Sequence, residues 1–279
     1  MEPRRSNSMD DLETRAARLA AILTGLGSVA VAYSGGTDSA FLLAASLEAL
    51  GAGAVLAVTA DSPLMPRAEL AEARALAARL GARHVVLPHD ELAREAIVAN
   101  LPDRCYHCKF DRFDLLWRVA RAEGLAHLVH GENADDAHDY RPGSRAAEEL
   151  GVRAPLREAG LTKADVRALS RRRGLPTWDR PADACLATRF PYGTRLTAEG
   201  LARVEAGEAA LRRIWQVRQL RLRDQFPLAR LEVPPEEIAR LAAPELREAA
   251  VEALRALGYR IITLDLEGYR MGSLNDELE

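Results

Sequence analysis

The chain reads as an α/β protein with a parallel sheet, followed by a second, smaller α/β domain. Three observations predict this. Short apolar runs alternate with helical stretches from residue 29 onward, a break from Pro176 to Pro191 carries three prolines, and the pattern changes beyond it. Strands separated by helices imply right-handed crossovers and parallel pairing.

The elements follow in order. Val29 to Tyr33 is a buried strand, Ala40 to Leu50 a helix, Ala54 to Ala60 a second strand and Arg67 to Leu80 a helix. Arg83 to Leu87 is a third strand, Lys109 to Glu123 a helix and Leu125 to Gly131 a fourth strand. Thr162 opens a helix running to Arg173, as an N-cap should. After the break come a charged helix over Thr197 to Trp215 and strands over Gln219 to Arg223 and Leu228 to Val233. A helix begins near Pro234-Pro235, another spans Pro244 to Leu257, and Tyr259 to Leu266 is a last strand. The domains are placed at 1–185 and 186–279, the second for substrate binding or oligomerisation. Met1 to Glu13 is polar and reads as a disordered lead-in.

Nearly half of the 279 residues are hydrophobic, enough to bury a core. The formal net charge of -3 argues against a general nucleic-acid binder. No apolar run reaches the ~20 residues that span a bilayer, and no signal-peptide segment opens the chain, so a cytoplasmic protein is expected.

Ser34-Gly35-Gly36-Thr37-Asp38-Ser39 lies between the first strand and its helix. Glycines there let backbone N–H groups converge on an anion, and the helix N-terminus adds its dipole. Ser34 and Ser39 can donate to phosphate oxygens. Asp38 would repel bare phosphate, which points to Mg²⁺ bridging it to a nucleotide. The plain alternative is a tight turn with Asp38 as a cap. G-x-x-x-x-G-K-[ST] and G-x-G-x-x-G are both absent. The string resembles the SGGxDS loop of the ATP pyrophosphatase (PP-loop) superfamily, which implies ATP cleavage between the α and β phosphates and adenylation of a substrate oxygen. The resemblance also implies that Thr59, in Val58-Thr59-Ala60-Asp61, borders the adenine. It further implies that Gly131, Glu132, Asn133 and Asp135 close over phosphates and metal; a solvated acidic loop is the alternative.

The three cysteines fall in two motifs, Cys105-Tyr106-His107-Cys108 and the segment around Cys185. Three thiolates suit a [4Fe–4S] cluster with one open iron. Zinc with His107 or His130 as fourth ligand, buried apolar cysteines and a redox pair are the alternatives. Lys109 and Arg189 lie close in sequence and could lower a thiol pKa or grip an anionic substrate.

Further segments resemble the LarE family, ATP-dependent sulfur transferases of nickel-pincer nucleotide synthesis that serve lactate racemase maturation. They are Arg104-Cys105-Tyr106, Arg141-Pro142-Gly143, Lys163 after Leu-Thr, Pro181 through Gly193, and Thr263 through Arg270. The resemblance implies the substrate pyridinium-3,5-biscarboxylic acid mononucleotide, whose carboxylates become thiocarboxylates. It implies Cys185 and Asp38 as catalytic residues. Sulfur would come from a [4Fe–4S] cluster on Cys105, Cys108 and Cys185, or from sacrifice of Cys185; the sulfide donor is open. Where the family often shows a Gly-Phe turn, an Arg-Val-Arg strand and a His-Gly turn, this chain has Arg221-Leu222-Arg223-Asp224-Gln225-Phe226. Arg221 and Arg223 keep the alternate spacing and, with Arg189, are candidates for substrate contact; a solvated edge strand is the alternative for the first two. A homo-oligomer is expected. A PP-loop tRNA thiolase and a non-catalytic iron–sulfur or nucleotide sensor are the competing functions.

Overall fold

The computed structural model describes residues 5–138, 142–181, 184–270 and 272–274. The chain divides into two compact units. One comprises Met1–Ser62, Arg67–His89 and Cys105–Ala182; the other comprises Pro63–Pro66, Asp90–Arg104 and Asp183–Glu279.

The first unit opens with α1 (Arg5–Leu26), so the expected disordered lead-in is helical from Arg5. Leu12, Leu19, Leu23 and Leu26 recur at helical spacing and are buried, and that stripe fastens the helix to the core. Then come β1 (Val29–Ala32), α2 (Thr37–Leu50), β2 (Val55–Asp61), α3 (Arg67–Arg79) and β3 (Arg83–Pro88). The short α4 (Glu95–Val98) belongs to the second unit. α5 (Arg104–Ala122) begins five residues earlier than its apolar pattern suggests, so Cys105 and Cys108 sit in its first turns. β4 (His127–Val129), α6 (Pro142–Glu149), α7 (Pro155–Glu158) and α8 (Lys163–Arg172) complete the unit. Thr162 caps α8 in a reciprocal capping box with Asp165.

The four strands are parallel in the order β3-β2-β1-β4. Side chains alternate across β1. Val29 and Val31 pack with Leu23, Leu43 and Leu169 on one face. Ala30 packs with Phe113, Leu116 and Leu128 on the other. Helices therefore cover both faces, as parallel sheets require. The chain leaves β1 toward β2 and β3, then returns to place β4 on the other side of β1. The carboxyl ends of β1 and β4 thus form the topological switch point, where ligands bind in such sheets.

In the second unit, α9 (Ala198–Trp215) is followed by β5 (Arg221–Gln225) and β6 (Leu228–Glu232). α10 (Ile238–Leu241), α11 (Pro244–Ala256) and β7 (Ile261–Leu264) come next. The sheet order is β5-β6-β7, antiparallel then parallel. α9 approaches the sheet closely at Gly207, where a Cβ would lie 2.6 Å from Leu222 Cδ1. No helix among the described residues is long and apolar enough to cross a membrane.

Candidate active site

The loop after β1 is built around one glycine that no other residue could replace without strain. Gly35 has φ +78°, and a Cβ there would meet Ala73 Cβ at 2.7 Å. Gly36 is the N-cap of α2, which starts at Thr37. Ser34 Oγ and Ser39 Oγ are 3.1 Å apart, and the Gly36 amide points to Ser34 Oγ at 3.4 Å. The two hydroxyls thus lie together beside the N-terminus of α2. The Thr37 hydroxyl points elsewhere and donates to the Thr177 carbonyl at 2.7 Å.

Thr59 occupies β2 and is buried. Its hydroxyl donates to the Tyr33 carbonyl at 2.5 Å, just after β1, and lies 2.8 Å from His84 Nε2 near the start of β3. Burial, with Arg74 nearby, lowers the His84 pKa.

The segment after β4 packs onto the phosphate loop. A Cβ on Gly131 would lie 2.9 Å from Ser39 N. Asn133 Oδ1 accepts from the Asp135 amide at 3.0 Å, and the Ala134 amide donates to the Leu161 carbonyl at 2.8 Å. Asp135 Oδ2 accepts from the Lys163 amide at 2.9 Å. The Lys163 ammonium pairs with Asp38 Oδ2. The fold thereby brings together Asp38, Ser39, Gly131, Asp135 and Lys163. In the sequence Lys163 stands out only by its place in a family-like segment, directly after the capping Thr162.

Glu132 takes a different position from its neighbours. Its buried carboxylate accepts from Arg157 Nη1 at 2.7 Å and from Ser144 Oγ at 3.1 Å, with His130 Nε2 at 3.6 Å. It serves an internal ion pair that holds the loop. His130 is buried against Phe113, and burial, with Lys109 and Arg157 nearby, lowers its pKa to about 3. The imidazole is therefore neutral. Lys109 crosses Gly143 so closely that a Cβ there would lie 2.3 Å from Lys109 Cδ.

Cys105 and Cys108, three residues apart on α5, share one helix face. Cys108 is buried, and Arg112 Nη2 donates to its Sγ at 3.3 Å. Cys185, in the second unit, caps the short 3₁₀ turn Leu186–Arg189. Among the described residues no group of three or more His, Cys, Asp or Glu side chains is arranged to hold a metal ion. Arg141, Ala182 and Asp183 of the quoted motifs lie outside the described residues.

The three candidate arginines are interior. Arg189 is fully buried and forms a two-pronged pair with Glu208, at 2.9 and 3.1 Å. Its Nη1 donates to the carbonyls of Ala184 and Cys185 and so shapes the Cys185 turn. Arg223 pairs in the same way with Glu232, at 2.8 and 2.7 Å, and donates to the Thr188 carbonyl at 2.7 Å. Arg221 lies over the Tyr269 ring. The departure from the family's turn is closed by Asp224, whose Oδ1 accepts from the Phe226 amide at 2.9 Å.

No family model matches the chain. It is 41% identical over 264 residues to an uncharacterized protein of Synechocystis sp., covering 95% of this chain and 98% of that one. It is 38% identical over 270 residues to the pyridinium-3,5-bisthiocarboxylic acid mononucleotide synthase of Lactiplantibacillus plantarum, covering 97% of each. The chain belongs to the LarE family. A more distant relative, the tRNA-specific 2-thiouridylase of Azorhizobium caulinodans, is 28% identical over 65% of this chain and 55% of its own. The LarE family thus sits among PP-loop enzymes, and the four-stranded parallel sheet with its glycine-paired loop is the corresponding fold. The chain is an ATP-dependent sulfur transferase of that type.

Proposed function

We propose that this enzyme adenylates the carboxylates of pyridinium-3,5-biscarboxylic acid mononucleotide and converts them to thiocarboxylates, as a step toward the nickel-pincer nucleotide. The observation that carries the reading is the Ser34–Ser39 loop at the β1/β4 switch point, in a chain aligned over 97% of its length with a synthase of the bisthiocarboxylate.

The chemistry follows from the groups present. A carboxylate is a poor electrophile with a poor leaving group. Attack of its oxygen on the α-phosphate of ATP expels pyrophosphate and leaves an acyl-adenylate. A sulfur nucleophile then displaces AMP and leaves the thiocarboxylate. The Gly35, Gly36 and Thr37 amides and the α2 dipole would stabilise charge on the phosphates, with Ser34 and Ser39 as hydroxyl donors. Thr59 would border the adenine, and Gly131, Glu132, Asn133 and Asp135 would close the site.

Asp38 is a single hard oxygen donor beside a phosphate loop. That suits Mg²⁺, which binds through one or two carboxylates, substrate phosphates and water. When bound, Mg²⁺ would neutralise charge building on the leaving pyrophosphate.

Cys105, Cys108 and Cys185 have the donor chemistry for a [4Fe–4S] cluster, and the Arg112 guanidinium lies beside the Cys108 sulfur. Such a cluster would supply a sulfide on its open iron. Residues 186–279 would hold the substrate, with Arg189, Arg221 and Arg223 as its candidate contacts.

The test is anaerobic reconstitution with ATP, Mg²⁺, sulfide and the pyridinium dicarboxylate nucleotide, followed by mass analysis. The expected product gains 16 mass units per converted carboxylate, as sulfur replaces oxygen. The protein should be brown with about four irons per chain. Loss of H₂S from the Cys185 peptide would instead show a sacrificial cysteine. Pyrophosphate release with tRNA and none with the nucleotide would overturn the substrate. ATP binding without turnover would mark a sensor.

A further inference from the structure

The second unit contains a cavity of about 230 Å³ beside the first turns of α9 and the β5–β6 turn. Phe190, Pro191 and Phe226 are its apolar walls, and Arg195, Arg203 and Asp224 carry its charge. Phe226 is 53% exposed, yet its ring is held. The Arg203 guanidinium lies 4.1 Å from the ring centroid, and its Nε and Nη2 are fixed on Asp224 Oδ2 at 3.1 and 2.8 Å. Asp224 Oδ1 accepts from the Phe226 amide. Both oxygens of the one acidic wall are therefore engaged by the turn itself. Arg195 differs from Arg203. Its side chain is 60% exposed and pairs with Glu95, which is 73% exposed. A pair so open to water is weak, so another carboxylate readily takes the place of Glu95. Alternation along β5 sends Leu222 and Asp224 toward α9, where a Cβ on Gly207 would meet Leu222 and where Asp224 meets Arg203. Arg221 and Arg223 fall on the opposite face of the strand, so the cavity is separate from the substrate contacts proposed for them.

We propose that this cavity is a second binding site, which takes a monocyclic aromatic carboxylate. The ring lies among Phe190, Pro191 and Phe226, and the acid group sits on Arg195 in place of Glu95. Size limits the ligand to one ring, because the volume falls below the roughly 300 Å³ at which drug-sized pockets begin. The aromatic and proline walls favour a flat ring over an inorganic anion. Arg195 favours the acid over its uncharged amide. The site stands apart from the ATP reading of the Ser34–Ser39 loop and does not depend on it.

The probe is 3-fluorobenzoate, titrated into the full chain and followed by fluorine NMR, with 3-fluorobenzamide as the uncharged control. One site per chain is expected, and the amide should bind more weakly. Phe226→Ala should weaken benzoate binding by about two- to tenfold, the range of one aromatic contact. Arg195→Gln should weaken it by up to about fivefold, as an exposed ion pair allows. Glu95→Gln should tighten it, because the competing carboxylate is gone. A damaged fold cannot tighten binding, so this last variant separates a lost contact from misfolding. No binding to the wild-type protein, wild-type affinity in Phe226→Ala, or no tightening in Glu95→Gln overturns the site.

Discussion

Gly131 and Ser39 meet through backbone alone, since a Cβ on Gly131 would lie 2.9 Å from the Ser39 nitrogen and 3.0 Å from the Asp38 carbonyl carbon. Gly131 is not among the positive-φ glycines, so space and not conformation requires the glycine. Backbone atoms cannot swing aside as a side-chain tip can. Gly131→Ala should therefore push the phosphate loop and the β4 segment apart. We expect a destabilisation of about 1–3 kcal/mol and a loss of at least about tenfold in kcat/KM for ATP, equivalent to ~1.4 kcal/mol. Pyrophosphate release assays and urea unfolding check the two effects. Unchanged turnover would show that the two loops need not touch.

Arg189 and Glu208 form a pair almost entirely removed from water. Removing one partner strands the other charge. Arg189→Ala should cost about 3–5 kcal/mol, measured by chemical unfolding. Combining Arg189→Met with Glu208→Leu should recover part of that loss, although Glu208 also accepts from Arg212 and the Leu222 amide. A double variant no better than the single one would show that Glu208 is needed for its other partners.

His130 gives the protein a specific acid sensitivity. Its folded pKa, about 3, lies below the ordinary value of 6.5. Between those values the unfolded chain binds a proton that the folded chain refuses, so stability falls as pH drops through the window. The slope from this one group approaches about 1.4 kcal/mol per pH unit. Above pH 6.5 both states are neutral and the dependence vanishes. His130→Gln should flatten the acid limb in urea unfolding between pH 7 and 4. An identical slope in the variant would assign the limb to other groups.

Thr162 fixes the start of α8, where Lys163 pairs with Asp38. Thr162→Ala removes one half of a capping box and should cost about 1 kcal/mol of stability. Because the α8 start also carries Lys163, KM for ATP should rise in the same variant. Thr162→Ser should restore both. A stability loss with unchanged KM would uncouple the cap from the site.

The parts legible in the sequence are those whose cause is local. The Gly35-Gly36 pair before a helix, the Thr162 cap and the alternation of Val29 and Val31 each follow from neighbouring residues. The polar start of α1 concealed the leucine stripe, because arginines and alanines fill the spaces between Leu12, Leu19 and Leu23. Residue type does not reveal partnership. Arg189 and Arg223 read as anion binders, and the structure gives them anions, but these are Glu208 and Glu232 of the same chain. Glu132 read as a cofactor residue, and its carboxylate also pairs with Arg157, 25 positions away, which no local pattern shows. Lys163 and Asp38 are too far apart in sequence for any local pattern to link them.

The composition of the second unit has a consequence for how the chain is made. Asn100 donates from Nδ2 to the Pro191 carbonyl at 2.8 Å and accepts from the Gly193 amide at 3.0 Å, while Val98 accepts from the Leu196 amide at 2.8 Å. At ribosomal speed these partners emerge roughly 5–20 s apart. The 90–104 segment, with the fully buried Asn100 and Ile97, must wait that long without the contacts that will enclose it. A nascent chain stalled between these segments therefore offers chaperones an apolar stretch that the finished protein hides.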